Sequence, residues 1–112
     1  MPSFSPVRAC LLAGAFVFSL QAHAAEPEVQ LVIKNHAFEP AELKVPAGQR
    51  VKLVVHNQDS TPEEFESHSL NREKVIPGGA KGTVFIGPLK PGRYSFVGEY
   101  HEATAKGVIV AE

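Results

Sequence analysis

"YSFVGEYHEATAKGVIV", residues 94–110, sets two strand patterns on either side of a polar loop. Tyr94, Phe96 and Gly98 fall on one side of a period-2 strand. Lys106-Gly107 then leads into Val108-Ile109-Val110, a β-branched run of the kind that fits a pleated surface. Between them, where the first strand ends, stands Glu99-Tyr100-His101-Glu102, a concentration of carboxylate and imidazole donors. A second such segment, "NQDSTPEEFESHS" at 57–69, also meets a strand end. The ends of strands far apart in sequence can meet at one pole of a Greek-key sandwich.

The same alternation recurs along the chain. It predicts strands near 28–34, 43–45, 50–57, 64–70, 72–76, 82–86, 92–98 and 107–111. Turns fall at Pro46-Ala47-Gly48, Pro77-Gly78-Gly79 and Pro88 to Gly92, where proline fixes φ and glycine permits positive values. No stretch keeps a 3.6-residue apolar stripe for three turns. The expected fold is all-β, a Greek-key antiparallel β-sandwich. "GGAKGT" at 78–83 lacks phosphate-loop spacing and opens no helix, so it reads as a hairpin turn.

Ahead of the strands, Arg8, the apolar run Ala9 to Leu20 and the small-x-small site Ala22-His23-Ala24 have the form of a secretory signal peptide. The expectation is a leader over 1–24, cleaved after Ala24, and one domain over 25–112 in the periplasm. The apolar run is shorter than the roughly 20 residues that span a bilayer. Cleavage would remove Cys10 and Met1, leaving a chain without cysteine, methionine or tryptophan. Disulfides, zinc-thiolate sites and thiol nucleophiles are then excluded. The formal net charge is −1 and there is no basic tract, which argues against nucleic acid as a partner and against attachment to anionic membranes.

If Phe65 points into the core, period 2 turns Glu63 inward with it, and Glu64 and Glu66 outward. Glu63 and His101 are therefore expected to converge. A carboxylate and an imidazole without soft sulfur suit iron, Cu(II) or zinc rather than Cu(I). The same "EEFE" also fits a charged edge strand that discourages aggregation, with Lys74 or Arg72 as partners. His68 is a weaker metal candidate, while His36 and His56 read as structural. Ser67-His68-Ser69 has no acid placed to orient its imidazole, and no hydrolase or transferase signature occurs.

With these segments placed, the chain resembles the cupredoxin-like family over nearly all of 25–112, through "FEPAELKVPAGQRVKLVVHNQD", "EEFES" and "LKPGRYSFVGEYHEATAKGVIVAE". More narrowly, "EEFESHSLNREKVIPGG" followed by "GEYHE" is similar to the periplasmic EfeO-type proteins of bacterial ferrous-iron uptake, which work beside an iron permease. By position, the resemblance puts the first copper-ligating histidine at Glu63, the cysteine at Gly98, the second histidine at His101 and the axial methionine at Ala105. It implies an iron and/or copper ion held by Glu63 and His101, with Glu64, Glu66, Glu99 and Glu102 contributing, and no type 1 blue copper site. The space freed at Gly98 would take a neighbouring carboxylate or a water. It further implies iron binding, with oxidation of the iron left open, and hand-over to the membrane permease. A copper carrier and a metal-free module that docks a partner are the alternatives.

Overall fold

In the computed structural model, which describes residues 26–112, period-2 burial organises the strands. The strands are β1 (Glu28–Lys34), β2 (Ala37–Glu39), β3 (Glu42–Val45), β4 (Val51–Asn57), β5 (Glu63–Ser67), β6 (Arg72–Ile76), β7 (Lys81–Ile86), β8 (Gly92–Gly98) and β9 (Lys106–Ala111). A single 3-10 turn, Glu99–His101, links the last two. The expected leader, residues 1–24, lies outside the described residues. No helix among the described residues is long and apolar enough to cross a membrane.

Two sheets face each other, ordered β2-β1-β4-β7 and β3-β9-β8-β5-β6. The sandwich is as expected, but it is not purely antiparallel. β1 runs parallel to β4 and β3 parallel to β9, so each sheet is mixed. Residues 78–83 are not a hairpin turn either, because β6 and β7 belong to different sheets and the chain crosses between them there. The strand expected over 64–70 ends at Ser67, and a turn carries His68 to Asn71.

Leu31, Ile33, Leu53, Val55, Phe65, Phe96 and Ile109 are buried between the sheets. Phe38 meets Phe96 edge-on, with centroids 4.8 Å apart, and Phe65 lies 5.2 Å from Phe96. Such offset pairs contribute about 0.5–1.5 kcal/mol beyond the area they bury. Phe96 stands opposite Gly107 on β9, where a Cβ would run into its ring. The glycine thus lets Phe96 lie flat across the strand and fill the core beneath the loop that follows β8.

Candidate metal centre

Three segments meet at one end of the sandwich: the β1–β2 turn, the β4–β5 loop and the 3-10 turn after β8. The β1–β2 turn places both Asn35 and His36 at positive φ, 53° and 56°. That conformation is uncommon for residues with a Cβ. Asp59 holds it, its two carboxylate oxygens accepting the backbone N–H of Asn35 at 2.8 Å and of His36 at 2.9 Å. These hydrogen bonds, that of His36 foremost, keep the Asp59 pKa below its ordinary value. Asp59 is itself positioned by Asn57, fully buried, whose carbonyl accepts the Asp59 N–H and whose amide donates to Thr61 and Ile76 carbonyls.

From this turn the His36 ring stacks on the His101 ring, with centroids 3.6 Å apart and planes 15° from parallel. Thr104 Oγ1 donates to the His36 carbonyl at 2.5 Å, tying the loop after β8 to the same turn. His101 in turn places Nδ1 2.5 Å from Glu63 Oε2. The expected convergence of Glu63 and His101 is therefore present. Glu63 is 1% exposed, and its second oxygen accepts the backbone N–H of Glu64 and of Tyr100, both at 3.0 Å. Burial of a carboxyl without such partners would cost several kcal/mol.

The volume beside Gly98 is filled. A Cβ at Gly98 would sit 2.7 Å from the Glu63 carboxyl carbon and 2.7 Å from the Ala105 Cβ. Real Cβ atoms do not approach this closely, so the Glu63 carboxylate already occupies the place expected for it.

On the outer face, Glu64, Glu66 and Glu99 form a second group, each offering a carboxylate oxygen within 4.8 Å of the others. The Glu99 carboxyl beside Glu64 raises the Glu64 pKa, and Glu66 raises that of Glu99. Partial desolvation and then Glu64 push up the Tyr100 hydroxyl. Like charges at close range disfavour joint ionisation, and a bound cation would relieve that repulsion. His68 Nε2 stands 3.0 Å from Glu66 Oε1 but is largely exposed. Glu102 is exposed on the turn and outside the cluster. Lys74 and Arg72 form no ion pair with these carboxylates among the described residues; Arg72 instead donates to the carbonyls of Phe85 and Asn71. The sequence-predicted donors thus fall into two groups, inner Glu63 with His101 and outer Glu64, Glu66 and Glu99. The contribution of His36 and Asp59 was missed, since nothing local to either residue announces a partner more than 20 positions away.

A family model described as "Cupredoxin-like domain" matches residues 8–111. An uncharacterized protein of Rickettsia prowazekii (strain Madrid E) is 43% identical over 83 residues, covering 74% of this chain. This chain spans 66% of that relative, just under two thirds of its length. Among solved structures, auracyanin A, a "blue" copper protein from Chloroflexus aurantiacus, superposes with a TM-score of 0.68 at 16% identity, over 79% of this chain and 100% of that one. The metal-binding domain of the Cu(I)-exporting P-type ATPase CopA of Streptococcus pneumoniae D39, solved with Cu(I), gives 0.64 at 15% identity, over 76% and 84% of the two chains. At these identities the likeness concerns the fold. The donors here do not suit a thiolate copper centre, for Gly98 carries no sulfur, Ala105 carries none, and a carboxylate fills the space between them. Because that family model matches residues 8–111, nearly the whole chain, the chain belongs to the cupredoxin-like domain family.

Proposed function

We propose that this is an exported metal-binding protein that supports bacterial ferrous-iron uptake, taking iron as cargo, with or without copper, and passing it to a membrane permease. The observation that carries the reading is the outer carboxylate group, Glu64, Glu66 and Glu99, set beside a histidine-bearing pole. Oxygen donors of this charge prefer hard cations and favour Fe(III) over Fe(II). Their mutual repulsion gives a cation something to neutralise that an isolated surface carboxylate lacks.

The test is a competitive titration of chelator-treated protein with Fe(III) and Cu(II), comparing wild type, Glu64→Gln, Glu66→Gln and Glu99→Gln. The reading expects stoichiometric Fe(III) binding that weakens in each variant, Fe(III) losing more than Cu(II). Unchanged binding in all three would remove the carboxylate site. No binding of either ion by wild type would turn the reading toward a metal-free docking module.

The second reading, a copper carrier, is favoured by the fold neighbours, whose own descriptions name copper. It predicts that Cu(II) outcompetes Fe(III) in wild type. In either case bound Cu(II) lacks an intense blue band, because that colour needs a thiolate and residues 25–112 contain no cysteine.

A further inference from the structure

The inner pair is arranged differently from a two-ligand chelate. Glu63 has both oxygens engaged, one by two backbone N–H groups and the other by His101 Nδ1. The position a metal would need between these side chains is taken up by their own hydrogen bond. His101 is 27% exposed at its side chain, and its other nitrogen, Nε2, has no hydrogen-bond partner among the described residues. No buried polar side-chain atom among those residues lacks a partner, so Nε2 must reach solvent.

We propose that Glu63 is a positioning residue rather than a ligand: its carboxylate accepts the Nδ1–H of His101, closes the interior beside Gly98 to metal, and leaves Nε2 as the outward donor for a transition-metal cation. The stacked His36 ring completes the arrangement by fixing the plane of the imidazole, so that the Nε2 lone pair has one direction. A carboxylate on the far nitrogen fixes the tautomer of a ligating histidine and increases its basicity. The inference deepens the metal-binding reading and rests on it for the identity of the bound species. The tautomer can be read before any metal is added, so the two stand or fall separately.

Glu63→Gln gives the sharpest contrast because it keeps the shape. The glutamine carbonyl must stay with the two backbone N–H groups of Glu64 and Tyr100. Its NH2 then faces His101 Nδ1 and needs an acceptor there. The imidazole has to move its proton to Nε2, and the outward lone pair disappears while the fold remains.

Long-range 1H–15N spectra of the histidine rings, taken on the metal-free protein and then with Zn(II) as the probe, test this. In wild type at neutral pH the expected tautomer is Nδ1–H, and Zn(II) shifts Nε2 while the Nδ1 proton and the Glu63 carboxyl carbon stay in place. In Glu63→Gln the tautomer reverses, and Zn(II) binding at His101 weakens about 10–100-fold, the usual cost of losing such a partner. The proposal is overturned if metal-free wild type carries Nε2–H, if Zn(II) moves the Glu63 carboxyl carbon and displaces the Nδ1 proton, or if Zn(II) leaves His101 unshifted. Should Glu63→Gln fail to fold, the wild-type spectra alone decide between these outcomes.

Discussion

Gly98 is a residue whose lack of a side chain is used by its neighbours. The Ala105 Cβ and the Glu63 carboxyl carbon both lie 2.7 Å from where its own Cβ would be. Gly98→Ala should therefore destabilise the protein by about 1–3 kcal/mol, the range for overpacking a filled interior, measured as a shift in the denaturant midpoint. Removing the competing carboxyl with Glu63→Ala in the same chain should recover part of that loss. On the outer face the carboxylates act oppositely to stabilising ion pairs. A carboxyl whose pKa is raised on folding, as at Glu64 and Glu99, holds its proton more firmly in the folded chain than in the unfolded one. Its contribution therefore falls as pH climbs from the ordinary carboxylate value through the raised one. Glu99→Gln should accordingly increase the melting temperature at pH 7, and the gain should vanish well below about pH 4.3, the unperturbed glutamate value. Added salt should shrink the gain at pH 7, because Glu99 is exposed to solvent.

The β1–β2 turn is the element on which the histidine pole depends. Asp59 holds its two positive-φ residues, and His36 extends from it to stack on His101. Asp59→Ala should cost on the order of 1–2 kcal/mol, the scale of hydrogen bonds to a partly exposed charged group. Because the Asp59 pKa is lowered on folding, its contribution is present above the ordinary aspartate range and is lost as pH falls through the depressed value. The difference in stability between wild type and Asp59→Ala should close on acidification, and the His36 and His101 ring resonances should broaden in the variant. This turn was also the least legible part of the fold. β2 holds only Ala37, Phe38 and Glu39 and ends against Pro40, too short a run for alternation to register. The strands with longer runs, such as 28–34 and 92–98, were readable because each alternates over its 7 residues. Parallel pairing was not readable, since period 2 states which face a residue takes and says nothing of strand direction. Similarly, Pro77-Gly78-Gly79 has the composition of a hairpin turn, and only the sheet to which β7 is bonded makes it a crossover. Within the site, the inward direction of Glu63 followed from Phe65, whereas the stacking of two histidines 65 positions apart follows from topology.

For the molecule as a whole, the order of strands in space differs sharply from their order in the chain. β9 is the last strand in sequence, yet it lies between β3 and β8 in the five-stranded sheet. It pairs residue by residue with both, from Glu42–Val45 on one side and from Gly92–Val97 on the other. Without residues 106–111, β3 loses its only sheet partner among the described strands, and β8 keeps only its short pairing with β5 through Phe65 and Glu66. A chain lengthening from its N-terminal side therefore cannot close this sheet until nearly all of it is available, because the non-local pairing must wait for its partner. A fragment ending at Ala105 should show no cooperative melt by circular dichroism, whereas the chain through Glu112 should melt in one transition; a cooperative melt of the fragment would mean that β9 is dispensable. Timing is the consequence of that placement. Folding is deferred by the position of six residues: until residues 106–111 are in place, one strand of the larger sheet waits unpaired and another is held by a single short contact.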